Sequence, residues 1–202
     1  MQGKIFWLGH ASIRIEADTV IYIDPWKVKG EPRADLILIS HAHHDHFSPG
    51  DIKKLCKKDT VIVGPADCTS QLKGDVRTMA PGDAITVGAV KIEAVPAYNP
   101  HKPYHPQANR WLGFILTVEG KRIYFAGDTD LIPEMKGIRV DIAILPVGGT
   151  YTMTAAEAAQ AAALIHPEVA IPIHCGDIVG TMEDAKEFHR LTPVPVEVKT
   201  PS

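Results

Sequence analysis

Four of the ten histidines fall within residues 41–46, where they surround one aspartate. Neutral imidazoles and carboxylates are the usual protein ligands of Zn²⁺ and similar divalent ions. His41 and His43 are two residues apart, so in an extended chain their side chains point the same way and can bind one ion. Asp45 and His46 follow after the chain turns and can face a second ion. His44 breaks this spacing, and we interpret it as a spacer or a supporting group.

The residues on either side of this run predict where it lies in the fold. Residues 36–39 form a short apolar run with β-branched side chains, which is typical of a strand buried on both faces. Ser48, Pro49 and Asp51 supply a capping residue, a proline for the first turn and an acid three residues after the cap, which together predict a helix start. The histidines therefore lie between the carboxyl end of a strand and a helix, where open α/β sheets bind ligands. A solvated or tag-like loop is the alternative, but this run is internal and framed by both elements.

The order His41, His43, Asp45, His46 resembles the His-x-His-x-Asp-His signature of the metallo-β-lactamase superfamily. The resemblance is strongest to its small bacterial and archaeal members, the UPF0173-type and ascorbate-phosphate-lactonase-like hydrolases. It implies an α/β protein with a four-layer αββα sandwich and metal-dependent hydrolase activity. Further landmarks follow in order along almost the whole chain: Gly9-His10, Ile23-Asp24-Pro25, Pro96-Ala97-Tyr98-Asn99, Ala126-Gly127-Asp128-Thr129 and Pro172-Ile173-His174.

The same resemblance implies a set of ligands for two divalent ions, with Zn favoured and Mn, Fe or Ni also suitable. It assigns Asp128 to a position bridging or facing both ions, and it makes Asp45 and Asp128 the catalytic carboxylates. His41, His43 and a third histidine would hold the first ion. The second ion would be held by Asp45, His46 and His174.

The third histidine of the first site has two candidates, because Asn99 stands where the superfamily places it. His101 and His105 both follow within the loop of residues 98–110, which is rich in proline and cannot be helical. Small relatives with the same Pro-Ala-Tyr-Asn order resemble this chain in having a histidine at the later position, so we favour His105. A first site that lacks a third histidine stays open.

Several other residues are candidates for supporting roles. His10 is expected either near the metal cleft or as a structural turn residue, and Asp24 either orients a metal-bound histidine or forms a turn before proline. Lys102 and Arg110 can hold a phosphate or carboxylate of a small substrate, or they are simply solvated. Cys175 is left out of the ligand set, because neighbours in a strand point to opposite faces. Candidates for lining the pocket are Trp26, Tyr98 and Tyr151.

Length and composition limit the class of protein. A chain of 202 residues with 45% hydrophobic and 22% charged residues is expected to form one globular domain over residues 1–202. A formal net charge of −3 disfavours long nucleic acids and favours a small-molecule substrate. Three cysteines without close pairing, no signal-peptide pattern and no membrane-spanning run lead us to expect a cytoplasmic location. Oligomeric state is left open.

These observations predict a hydrolase in which a metal-bound hydroxide attacks a small ester, lactone or phosphodiester. No serine or cysteine nucleophile motif competes with this mechanism. Two alternatives remain, which are a phosphodiesterase or ribonuclease acting on nucleic acid, and a non-hydrolytic iron redox module.

Strands of both halves lead into predicted helices at residues 51–58, 66–73, 154–165 and 181–191, and residues 196–198 are expected to add an edge strand.

Overall fold

The computed structural model describes residues 1–30 and 32–202, which form two six-stranded mixed sheets. The first sheet has its strands in chain order. The first three strands pair antiparallel as a meander, and β3 to β6 then run parallel to one another. These strands are β1 Ile5–Gly9, β2 Ser12–Glu16, β3 Val20–Ile23, β4 Ala34–Leu38, β5 Cys56–Gly64 and β6 Asp75–Thr78.

The second sheet repeats this layout with the order β12-β11-β10-β9-β8-β7. Its first four strands pair antiparallel, and β10, β11 and β12 run parallel. The carboxyl ends of β10 and β12 therefore lie at the same edge of the sheet. The strands are β7 Ala84–Val87, β8 Val90–Pro96, β9 Leu112–Val118, β10 Lys121–Phe125, β11 Ile142–Pro146 and β12 Val169–Ile173.

Helices cover the outer face of each sheet, so the predicted four-layer αββα sandwich is confirmed. Two short helices follow strands of the first sheet, and two longer ones follow strands of the second. The longer helices begin with complete capping boxes at Thr154 and Thr181. The helices are α1 Pro49–Leu55, α2 Ala66–Thr69, α3 Ala155–Ile165 and α4 Met182–Leu191, with short 3₁₀ turns at Gln2–Lys4, Gln107–Asn109 and Pro133–Gly137.

The strand before the histidine run shows how the layers are held together. Leu36 and Leu38 lie in the large apolar core that includes the facing surfaces of both sheets. Ile37 and Ile39 lie in the smaller core beneath α1 and α2. All four side chains are fully buried, and each burial contributes about 1.5–3 kcal/mol. A strand so firmly packed on both faces gives the loop that follows it a fixed starting point.

Three predicted elements differ from the structure. The helix predicted over residues 51–58 ends at Leu55, because Cys56 already pairs with Ala34 in the first sheet. The helix predicted over residues 66–73 is a single turn, Ala66–Thr69. The edge strand predicted at residues 196–198 is reduced to one isolated bridge between Ala170 and Val196. In each case tertiary pairing or packing outweighs a weak local preference.

Across the described parts of the chain, none of the helices combines the length and the apolar character that crossing a bilayer requires.

Candidate metal centre

The predicted site residues meet where strands of both sheets end. Residues 41–46 follow β4, Asp128 follows β10, and His174 follows β12. Two backbone hydrogen bonds join the sheets here, from Leu112 N–H to the Ser40 carbonyl at 3.0 Å and from His174 N–H to the His10 carbonyl at 2.8 Å. The two halves of the site are thus held by main-chain contacts as well as by side chains.

Three histidines form a first group of possible ligands. His41 Nε2 lies 3.1 Å from His43 Nδ1, and the His105 ring packs within 5.0 Å of both imidazole centroids. One nitrogen from each ring can be chosen so that all three lie within 4.8 Å of one another. His41 and His105 are buried, and His43 is half-buried at the mouth. His101 is exposed on the same loop and belongs to no such group.

A second group contains the predicted Asp45, His46 and His174 together with His10. His10 Nε2 lies 2.8 Å from Asp45 Oδ2, and its ring packs against that of His174 with centroids 4.1 Å apart. All four residues are buried. The structure therefore places His10 among the donors themselves. Its position after Gly9 in the first turn, at the same edge as the histidine run, was the sequence signal for this.

Asp128 lies between the two groups. Its Oδ2 is 3.0 Å from His174 Nε2, 3.3 Å from His105 Nε2 and 4.0 Å from His41 Nε2. Its Oδ1 is 3.4 Å from His46 Nε2. The side chain is only 4% exposed. A carboxylate in this position can contact an ion in either group or bridge two ions.

The rings of His41 and His46 are oriented by one buried carboxylate. Asp24 accepts hydrogen bonds from Ser40 N–H at 2.7 Å and from His46 Nδ1 at 2.8 Å. Ser40 Oγ donates to the same carboxylate and lies 2.8 Å from His41 Nδ1. With each Nδ1 engaged on this side, each Nε2 is left facing Asp128. This matches the supporting role predicted for Asp24.

Asn99, the departure from the superfamily pattern, orients His105. Its Oδ1 accepts from the His105 backbone N–H at 3.0 Å and lies 2.8 Å from His105 Nδ1. Its amide nitrogen donates to the Tyr151 carbonyl at 3.0 Å, which fixes which end of the amide faces the histidine. The asparagine thus stands behind the ring, and His105 Nε2 points at Asp128.

The chemistry of the donor set fits divalent cations. Several buried site atoms have no hydrogen-bond partner among residues 1–30 and 32–202, although their neighbours are close enough. The Nε2 atoms of His46, His105 and His174 lie 3.0–3.4 Å from Asp128 without hydrogen-bond angles, as expected when several lone pairs share a central target. The atoms are His10 Nδ1, His46 Nε2, His105 Nε2, Asp128 Oδ1 and both ring nitrogens of His174.

The electrostatics of the cluster agree with this interpretation. Burial alone would raise the pKa of Asp128, but His174 and His46 outweigh it and hold that pKa well below its usual value. Burial, reinforced by the neighbouring His46, lowers the pKa of His41 well below its usual value. For His46, burial is outweighed by Asp128 and Asp24, which raise its pKa well above normal. A buried carboxylate that its neighbours keep ionised is suited to binding cations.

The backbone around the site is strained in a way that fixes the ligands. His10, Asp24 and His174 all adopt left-handed conformations, with φ of 48°, 47° and 59°. Such conformations are uncommon for residues other than glycine and persist only where the surroundings enforce them. Gly148 packs directly behind His174, and a Cβ there would overlap the His174 carbonyl oxygen and lie 3.2 Å from its Nδ1.

Replacing Gly148 by alanine is therefore expected to displace His174. We expect metal affinity to fall by at least about tenfold, since changes around a bound metal typically cost 10–100-fold. Metal titration and thermal unfolding would measure the effect. Gly137→Ala is the control, because a Cβ there meets nothing within 4 Å. Equal metal affinity for both variants would contradict this account of Gly148.

Three of the candidates for supporting roles lie away from the centre. Lys102 does not face the centre, because its Nζ is bound by Asp130 Oδ1 and the Thr152 carbonyl, both at 2.6 Å. Arg110 lines cavities elsewhere on the surface. Tyr98 is buried with its hydroxyl donating to Glu134 at 3.1 Å. Tertiary contacts thus direct Lys102 and Tyr98 away from the centre, although both are close to it in sequence.

Trp111 is a further residue that the sequence did not single out. Its ring packs against those of His41 and His43, with centroids 5.0 and 4.9 Å away, and it also contacts His105 at 5.6 Å. Its Nε1 donates to Asp67 at 2.8 Å. Trp111 therefore forms a wall behind all three histidines of the first group. A lone aromatic residue entering a strand carries no sequence signal for this role.

Comparison with known proteins agrees with the site. A family model described as "Beta-lactamase superfamily domain" matches residues 4–174. Igni18, a metallo hydrolase from Ignicoccus hospitalis, superposes with a TM-score of 0.81 and 26% identity, covering 98% of this chain and 95% of that one. A solved protein from Parabacteroides distasonis gives a TM-score of 0.86 and 38% identity, with 96% and 91% covered. The chain belongs to the beta-lactamase superfamily.

The relatives also define a narrower group. The chain is 35% identical to the UPF0173 metal-dependent hydrolase MK1542 of Methanopyrus kandleri, over 93% of this chain and 90% of the relative. This chain is one of the UPF0173 metal-dependent hydrolases.

Proposed function

We propose that this protein hydrolyses a small ester, lactone or phosphodiester with the aid of two divalent ions, Zn being the favoured metal. The observation that carries the proposal is the presence of two donor groups on either side of Asp128. His41, His43 and His105 would hold one ion, and Asp45, His46 and His174 with His10 nearby would hold the other. Histidine and carboxylate donors also suit Mn, Fe and Ni.

Ions held there would lower the pKa of bound water from 15.7 toward about 7 and stabilise negative charge that develops on the substrate. The chain itself contributes orientation. Asp24 and Asn99 keep the imidazoles of His46 and His105 aimed at Asp128. Most of the donors are buried, which strengthens the charge interactions among them.

The charge of Asp45 is also fixed by its surroundings. Burial would raise its pKa, but the hydrogen bond from His10 outweighs that effect and keeps the carboxylate ionised at neutral pH. Asp45 would therefore act as an anionic ligand of the second ion. The substrate is proposed to be a small molecule, since no excess of basic residues attracts nucleic acid.

Removal and return of metal test the proposal. Chelated protein should lose hydrolysis of 4-nitrophenyl acetate and bis(4-nitrophenyl) phosphate, and Zn²⁺, Mn²⁺ or Ni²⁺ should restore at least one of them. Metal at about 100 times its dissociation constant stabilises the fold by about 2.7 kcal/mol, or roughly 5–10 °C in melting temperature. A protein that binds no metal would contradict the proposal. One that binds iron, reacts with oxygen and hydrolyses nothing would favour the redox alternative.

A further inference from the structure

A cavity of about 230 Å³ opens directly onto the metal centre. Its floor includes Asp128, His105 and His174, and one wall is made of Tyr104, Tyr151 and Ile178. An apolar cavity of about 150 Å³ admits a benzene molecule, whereas sites for drug-sized ligands run from about 300 to 1,000 Å³. The space therefore suits a substrate with a single ring or a short chain beside its reacting group.

The wall presents large apolar surfaces to solvent. Tyr104 is 41% exposed and Ile178 is 42% exposed, although most side chains of this size are buried in the rest of the fold. The rings of Tyr104 and Tyr151 meet edge to face, with centroids 4.7 Å apart and planes at 89°. Such an arrangement leaves one aromatic face available for a flat apolar group. Covering that face removes apolar surface from water, which favours binding.

The charged side chains at the cavity are a second clue to its substrate. Among the described residues that line it are two carboxylates, and none is a lysine or an arginine. Lys102 is the nearest candidate on the same loop, but its Nζ is held by Asp130 Oδ1, the Thr152 carbonyl and, at 3.2 Å, the Gly149 carbonyl. A negative charge on the substrate, other than the one developing at the reacting atom, would thus have no protein partner.

We propose that this cavity selects a small uncharged carboxylic ester or lactone whose aromatic or flat apolar group packs against Tyr104, Tyr151 and Ile178. The inference rests on the proposed hydrolase function and narrows its substrate class. The carbonyl would face the metal centre, where the developing charge is stabilised, and the apolar group would cover the tyrosine wall. A phosphodiester would have only the metal centre to balance its charge, because no guanidinium or ammonium group stands among the described residues that line the cavity, whereas an uncharged ester needs no such group.

Binding of three hydroxamates to the Zn-loaded protein tests the wall without any turnover. Acetohydroxamate, benzohydroxamate and 4-carboxybenzohydroxamate share one metal-binding head and differ in ring and charge. Calorimetry should find benzohydroxamate bound at least about tenfold more tightly than acetohydroxamate, because the ring covers apolar surface. The added carboxylate should cancel most of that gain. Equal affinities for the first two would overturn the proposal.

Variants separate the wall from the metal centre. Tyr104→Ala and Tyr151→Ala should reduce the benzohydroxamate-to-acetohydroxamate ratio to within about threefold of unity, with acetohydroxamate affinity unchanged. Leu191→Ala is the matched control, since Leu191 is 48% exposed but lies on α4 outside the cavity. If the benzohydroxamate-to-acetohydroxamate ratio stayed unchanged in both tyrosine variants, the ring of benzohydroxamate would bind elsewhere and the proposal would be wrong.

Turnover distinguishes failure of this inference from failure of the hydrolase proposal. The inference expects ethyl phenylacetate to be cleaved, by acid release, with a higher kcat/KM than ethyl acetate, and Tyr151→Ala to remove the difference. Preferential cleavage of bis(4-nitrophenyl) phosphate would overturn the inference and leave the hydrolase intact. Ring-selective hydroxamate binding without hydrolysis of any ester would support the cavity and overturn the hydrolase.

Discussion

Replacing Asp128 by asparagine is expected to abolish stable metal binding and to lower hydrolysis by at least about 100-fold. Substituting a group that only supports a metal ligand typically lowers metal affinity or activity by about 10–100-fold. Asp128 stands among the donor atoms themselves, so its loss should cost at least as much. Its carboxylate lies within 3.0–3.4 Å of three histidine Nε2 atoms. An amide of the same shape keeps the packing and removes the negative charge. Metal content by elemental analysis and ester hydrolysis would measure both losses.

Asp130→Asn is the matched control for this prediction. Asp130 is also buried and stands two residues away, but its carboxylate binds Lys102 and contacts none of the histidines in the site. Its replacement should leave the metal content near that of the unmodified protein. If Asp128→Asn retained its full metal content, or if both variants lost it equally, the central role of Asp128 would be wrong.

The pH dependence of stability in the chelated, metal-free protein is a second test of Asp128. The depressed pKa of this carboxylate in the folded chain contributes stability above the unfolded value near 3.8, and that contribution is lost as pH falls through the folded pKa. The difference in unfolding free energy between the parent and Asp128→Asn should therefore be present at pH 7 and shrink on acidification. Denaturant titrations of chelated samples at several pH values would follow it.

Replacing His105 by alanine should remove one ion and leave the other. The expected loss is one equivalent of metal and at least about 100-fold in hydrolysis, because a direct ligand should cost no less than its supporting groups. His101→Ala is the control, since His101 is exposed on the same proline-rich loop and joins no donor group. Elemental analysis of both variants would compare them. An unchanged metal count for His105→Ala would exclude it as the third histidine.

Asn99 extends this comparison. Asn99→Ala removes the acceptor that holds the His105 backbone N–H and ring at 3.0 and 2.8 Å. The variant should lose about 10–100-fold in affinity at the first site, which is the usual cost of removing a group that orients a ligand. An effect as large as that of His105→Ala would instead indicate that Asn99 is itself a ligand. No effect would make it a loop residue without influence on the metal.

Much of the site follows from local sequence. The apolar run before residue 41 and the capping residue Ser48 lie next to the histidine run, so periodicity and capping alone locate that run at a strand end. Asp128 and His174 also come directly after apolar strands. Strand ends can be identified from sequence because burial and turn formation leave a pattern within a few residues. The αββα class came from the resemblance of these landmarks to the metallo-β-lactamase superfamily.

Orientation was decided by contacts between residues distant in the chain. Asp24 reaches His46 across 22 positions, and Asn99 is tied to the Tyr151 carbonyl across 52. Lys102 resembled a substrate-binding cation in sequence, yet Asp130, 28 positions away, turns it from the cavity. Side-chain direction depends on partners that only the packed sheets bring within reach. The sequence alone therefore determined which residue types stand at the strand ends, and the tertiary structure decided which of them face the centre.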